Sequence, residues 1–205
     1  MTATVSPPEA VEAAAARAIE AVVIGASAGG FAALLAILQG LPATYPLPLV
    51  AVLHLPDNHE SRLAELFGYR LALQAREARD KESLAPGVLY FAPSGYHLSV
   101  ENDYSFSLSG EERVSYARPS IDVLFSSAAD AYGPALAGIL LSGANHDGAA
   151  GLAGMQVAGA LTIVQDPASA EVPTMPEAAL RRMTPDLILP LAEIHSLLLR
   201  LGAPR

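Results

Sequence analysis

"VVIGASAGGFAALLAIL", residues 22–38, decides the fold. A run of β-formers ends in a turn of small residues, and an Ala/Leu-rich helical segment follows. A short apolar run without polar alternation reads as a strand buried on both faces, the kind found in parallel sheets. Ser27 lies in the turn, between Gly25 and Gly29. The turn has two readings. It holds a phosphate or merely caps a helix, or it presents a serine as a nucleophile.

The same alternation continues outward. "LPLVAVLHL" is a second buried strand, ending at His54 before Pro56, and "HESRLAELFGYRLA" is helical. "LQAREA" and "GVLYFAP" are strand-like. "HLSVENDYSFSLSG" alternates on both sides of Asn102–Asp103, a hairpin signal. "SIDVLFSSAADAYG" reads as a helix with Ser120 at its N-cap. "PALAGILLSGA" and "LTIVQD" are further strands, with the helical "AAGLAGMQVAGA" between them. "PEAALRRM" is a short helix, and "DLILPLAEIHSLLLRLG" gives a last strand and a closing amphipathic helix. The expected class is α/β: a doubly wound, mostly parallel sheet with helices on both faces and a small antiparallel hairpin. Residues 1–19, rich in Ala, Glu and Pro, read as a flexible tail that turns helical after Pro8, and residues 20–205 as one domain.

Bulk composition narrows the function. The 205 residues are 52% hydrophobic and 16% charged, as in a globular chain. The net charge of −9 opposes nucleic-acid binding, which needs a basic footprint. No uncharged apolar run reaches the roughly 18 residues of a membrane helix, because turns and glycines interrupt residues 22–38. The first 20 residues lack a basic region and an apolar core, so they are no secretory signal, and the cytoplasm is the default location. There is no cysteine, which removes thiol catalysis and thiolate metal sites, and no H-E-x-x-H pattern for zinc.

In a doubly wound sheet, function gathers at the carboxyl ends of the strands. Three ends carry usable groups: Ser27 after the first strand, His54 after the second, and Asp147 in "NHDG" after "AGILLSGA". Alone, each has an ordinary reading: a structural turn, a structural histidine, a turn or capping aspartate. Together they are the parts of a nucleophilic hydrolase. A serine hydroxyl needs a neutral imidazole to take its proton, and a carboxylate behind the ring fixes its tautomer. "GASAG" fits the G-x-S-x-G elbow, and the Ala28 N–H faces the place where an oxyanion forms. The phosphate reading is weaker. "GASAGG" is not G-x-G-x-x-G, it lacks the Lys-Ser/Thr of a P-loop, and the second strand ends in His54 rather than an acid, Asp57 lying beyond Pro56.

"VIGASAGG", "LHLP", "ARPSIDVLF", "LSGANHDGAAG" and "QDPASAEVPTMPEAAL" together resemble the catalytic domain of the chemotaxis protein-glutamate methylesterases, the CheB type, over residues 21–202. The resemblance implies cleavage of glutamyl methyl esters on chemoreceptors, with release of methanol and, in many members, deamidation of receptor glutamines. It implies Ser27 as nucleophile, His54 as base and Asp147 as the carboxylate, with no cofactor and no metal. Methylated chemoreceptors are the implied partners. Family members often carry a phosphoryl-accepting receiver domain, for which the short segment ahead of the first strand has no room, so a stand-alone or excised domain is expected, with a separate response regulator as candidate partner.

Three further residues match family motifs. Arg118 either binds substrate carboxylates or pairs with an acid such as Asp122. His97 lines the cleft or is a satisfied loop histidine. Met175 lies near the cleft mouth or packs a loop–helix junction. Two positions depart from the pattern: Ala28 stands where threonine is frequent, and Ala144 where methionine is common in a G-M-G-x-D-G context. These losses are what favours the alternative reading, a catalytically weak or inactive receptor-binding module of the same fold.

Overall fold

The computed structural model describes residues 5–54 and 62–203. Its centre is strand β1, Ala21–Ala26, every residue of which is buried. β1 pairs in parallel with β2, Leu49–Leu53, on one side and with β7, Leu136–Leu140, on the other. Beyond β2 lie β4, Val88–Phe91, and the edge strand β3, Gln74–Glu77; beyond β7 lie β8, Leu161–Gln165, and β9, Leu187–Leu189. All seven strands are parallel. β5, His97–Val100, and β6, Phe106–Ser109, form the expected antiparallel hairpin as a separate two-stranded sheet.

The period of two along β1 sorts its side chains into two cores. Val22 and Ile24 face one layer, with helices α2, Gly30–Leu38, and α7, Leu191–Leu201. Ala21 and Val23 face the other, with α4, Ile121–Tyr132, α5, Ala149–Val157, and α6, Thr174–Arg182, together with Leu98, Val100 and Phe106 of the hairpin. Full burial of a side chain such as Ile24 contributes about 1.5–3 kcal/mol. Within the seven-stranded sheet, exposed and half-buried polar positions gather on β3, as suits an edge. A short α3, Leu63–Gly68, follows β2, and residues 59–61 of the helix expected there lie outside the described residues.

The amino-terminal segment turns helical where expected, but its described residues pack on the domain. Pro8–Ala15 form helix α1, with proline in the first turn, where its missing N–H costs nothing. Ala14 is buried in the core of the α2/α7 layer, and Ser6 bonds through both its N–H and its Oγ to Ile188 of β9. The apolar stripe of this segment, with Val11 packed on the core, is what draws it onto the domain.

The chain runs from β1 to β2, on to the edge strand β3 and back to β4 between them, then crosses to β7 on the opposite side of β1. The winding therefore reverses beside β1, and the crevice at such a reversal, outside the carboxyl ends of the strands, is where doubly wound sheets hold their sites.

Candidate active site

Parallel pairing of β2, β1 and β7 brings three distant pieces of chain to one edge. The His54 N–H donates to the Ala26 carbonyl at 3.1 Å, and the Ser27 N–H donates to the Ser142 carbonyl at 2.9 Å. The ends of all three strands are thus joined through backbone hydrogen bonds.

Ser27 is half-buried, and its carbonyl accepts from Gly30 N–H at 2.7 Å. With both backbone groups held, the turn is stiff. Gly29 makes it possible: φ is +74°, and a Cβ there would lie 2.8 Å from both Ser142 Oγ and Glu171 Cβ. Ser142 fastens the far side, its Oγ donating to the Ala28 carbonyl at 2.8 Å and accepting from Val172 N–H at 2.9 Å. Among the described residues, neither Ser27 Oγ nor the Ala28 N–H has a hydrogen-bond partner, and Ala28 is exposed. A free hydroxyl and a free N–H at the start of a helix are the two groups that attack and oxyanion stabilisation need.

Asp147 is fully buried. Its Oδ2 accepts from His54 Nε2 at 2.9 Å and from Ile121 N–H at 2.7 Å. Its Oδ1 accepts from Ser120 Oγ at 2.8 Å and from Asp122 N–H at 3.0 Å. The carboxylate therefore caps α4 from outside that helix. Ser120 occupies the expected N-cap position but does not cap; its hydroxyl turns to Asp147, because a carboxylate is the stronger acceptor for the first-turn N–H groups. Gly25 permits the approach of α4: a Cβ there would lie 2.3 Å from Ile121 Cγ2. Burial pushes the Asp147 carboxyl up, but the hydrogen bonds from His54, Ile121, Asp122 and Ser120 outweigh it and hold the group below its ordinary value. Asp122 goes the other way, raised chiefly by burial, with a contribution from the Asp147 charge.

His54 has a side chain 12% exposed, with Nε2 on Asp147. That leaves Nδ1 as the basic nitrogen. A carboxylate on one ring nitrogen and a lone pair on the other is the poise of a general base.

Of the other three residues, His97 and Met175 follow the structural one of their two readings. His97 is buried, with both ring nitrogens in use: Nε2 faces the Glu112 carbonyl at 2.9 Å and Nδ1 accepts from Ser120 N–H at 3.2 Å. It pins the 110–120 segment to the start of α4 and offers no free nitrogen to a substrate. Met175 is fully buried, packed against the space where a Cβ of Gly143 would stand, and its N–H donates to the Gly143 carbonyl. It shapes the 141–148 loop from beneath. Arg118 Nη1 donates to the carbonyls of Gly110 and Glu111, both at 2.7 Å, while its Nε is buried without a partner. Among the described residues Arg118 makes no ion pair with Asp122.

The CheB methylesterase family model matches residues 22–198. The chain belongs to that family. A relative from Leptospira interrogans, provisionally named a protein-glutamate methylesterase/protein-glutamine glutaminase, is 42% identical over 182 residues, covering 89% of this chain and 94% of its own. One from Bordetella parapertussis, named for the same two activities, is 41% identical over 186 residues, covering 88% of this chain. The matched region is only 53% of that protein's length. The crystal structure of the CheB methylesterase catalytic domain of Thermotoga maritima superposes with a TM-score of 0.84 at 31% identity, covering 89% of this chain and 98% of that one. Seven parallel strands with helices and a separate hairpin are therefore the family's fold.

Sequence reasoning missed Ser142, Ser120 as a partner of Asp147, and Asn145. Asn145 Nδ2 lies 3.2 Å from His54 Nδ1, and its Oδ1 accepts from Asp147 N–H at 3.1 Å. The signal was present: Asn145 stands at the second glycine of the G-M-G-x-D-G pattern, so a side chain occurs where that pattern has none.

Two clefts among the described residues lie away from Ser27, His54 and Asp147. The larger, of about 940 Å³, lies between α6 and the Asp166–Ala168 turn, and the smaller, of about 630 Å³, has His146, Asp122, Arg181 and Arg182 in its walls. Ser27 is half-buried, and its neighbour Ala28 is exposed. No helix among the described residues is long and apolar enough to cross a membrane.

Proposed function

We propose that this protein hydrolyses the methyl esters of glutamate side chains on methyl-accepting chemoreceptors, through Ser27, His54 and Asp147. The observation that carries the assignment is the 2.9 Å contact of His54 Nε2 with the fully buried Asp147, at the strand end next to Ser27. Family membership supplies the ester chemistry, and the relatives' names, protein-glutamate methylesterase, supply the protein substrate.

In the proposed cycle Ser27 Oγ attacks the ester carbonyl carbon and its proton passes to His54 Nδ1. The Ala28 N–H meets the oxyanion. The bond to the methoxy group breaks as His54 Nδ1 returns the proton, and methanol leaves. Water then attacks the acyl-enzyme, its proton again taken by His54 and given back to Ser27, and a glutamate carboxylate departs. Asp147 stays ionised throughout, which its four hydrogen bonds favour. The names of the relatives include protein-glutamine glutaminase; the same cycle with an amide releases ammonia instead. The proposed place of action is the cytoplasmic side of the receptors, with a separate response regulator as the regulatory partner.

The test is methanol release from membranes bearing methylated receptors, with Ser27→Ala as control. Release by the parent and none by the variant is the expected result. Equal release by both would remove Ser27 from the chemistry. Receptor binding by the parent without any release would favour a non-catalytic binding module.

A further inference from the structure

We propose that Asn145 controls the availability of the catalytic base, by occupying the imidazole lone pair that Ser27 must use. This rests on Ser27 and His54 acting as nucleophile and base.

The hydrogen bonds allow one arrangement of protons. Asp147 N–H donates to Asn145 Oδ1 at 3.1 Å, which fixes the direction of the amide: reversed, its NH₂ would confront that N–H. Nδ2 therefore points to His54 Nδ1, 3.2 Å away. An amide NH₂ only donates, so Nδ1 must accept and carries no proton. The ring's single proton sits on Nε2 and goes to Asp147 Oδ2. Asn145 and Asp147 thus select the same tautomer from opposite sides of the ring.

Nδ1 has one lone pair in the ring plane. Two donors cannot both use it well. With the amide in place, Ser27 Oγ has no hydrogen-bond partner among the described residues. The base is correctly protonated, but already engaged. Attack requires the amide to withdraw so that the Ser27 hydroxyl can take its place. Asn145 is half-buried and its neighbour Ala144 is exposed, so the amide lies near the surface. Asn145 is in these terms a positioning residue: it acts on the reaction through His54.

The experiment follows the rate at which a fluorophosphonate probe labels the purified chain. Ser27 Oγ bonds to phosphorus, fluoride leaves, and the serine proton goes to His54, so the rate reads the availability of the base without any receptor. Asn145→Gly and Asn145→Ala are expected to label about twofold to tenfold faster than the parent, the factor a neutral hydrogen bond carries. Damage to the site slows labelling, so a gain separates lost competition from a structural effect. Asn145→Asp keeps an oxygen for Asp147 N–H but presents an acceptor to Nδ1; it should label more slowly than the parent, because it favours the protonated ring. Equal or slower labelling by both the glycine and alanine variants would overturn the proposal. So would ¹⁵N NMR of the parent placing the His54 proton on Nδ1, a result that needs no variant. Labelling that persists unchanged in Ser27→Ala would instead sink the nucleophile reading, which keeps the two failures apart.

Discussion

Replacing Asp147 by asparagine tests whether one carboxylate supports both the base and the fold. Each oxygen accepts two hydrogen bonds: Oδ2 from His54 and Ile121 N–H, Oδ1 from Ser120 and Asp122 N–H. Asparagine keeps one oxygen. Its NH₂ must then face two donors inside a fully buried site. Losing two hydrogen bonds to a charge costs about 3–6 kcal/mol, at roughly 1.5–3 kcal/mol each. Removing a buried charge offsets part of that, since burial by itself opposes ionisation here. A net loss of about 3 kcal/mol is expected, a large share of the roughly 5–15 kcal/mol that holds a domain folded. Urea unfolding at neutral pH measures it. The pH dependence gives an independent check. Because the folded pKa of Asp147 is depressed, its contribution is present above the ordinary carboxylate range and fades as pH falls through the folded value. Asp147→Asn should therefore differ most from the parent at neutral pH and converge on it in acid. Catalysis should fall by about four orders of magnitude in kcat, the scale of a base left in the wrong tautomer. A stability loss below about 1 kcal/mol would refute the assignment of those hydrogen bonds.

Other substitutions separate chemistry from architecture. Ser27→Ala should abolish methanol release yet change the unfolding free energy in urea by less than about 0.5 kcal/mol, because Ser27 Oγ bonds no described residue. Gly25→Ala should cost about 1–3 kcal/mol by overpacking, since the new Cβ meets Ile121 Cγ2 at 2.3 Å; serine labelling should slow as α4 is pushed off Asp147. Asp122→Asn should stabilise the fold at neutral pH, read from the same melts. The folded pKa of Asp122 is raised, so its charge is a burden that disappears as pH falls through that value, and the advantage of the variant should shrink with it.

The sequence by itself determined the layers and the edge. Runs such as "AVVIGA" and "LPLVAVLHL" have no polar alternation, so they had to be buried on both faces, and helices between them made the pairing parallel. From that pairing alone Ser27, His54 and Asp147 fall at one rim, however far apart in the chain. Local pattern was a poorer guide where partners come from elsewhere. Ser120 looked like its own helix cap, but the cap is Asp147, which lies 27 positions further along. His97 and Met175 matched family motifs but kept two readings each, and only burial shows them supporting the loops around the site. Residues 1–19 read as a tail because they are rich in Ala, Glu and Pro, and only β9 and α7 reveal what the described part packs against. Asn145 is the clearest case: nothing in its chain neighbours says that its amide meets His54. Burial periodicity is written in consecutive residues, whereas the direction of a hydrogen bond depends on which unrelated segment folding sets opposite. The tertiary structure alone decided that direction.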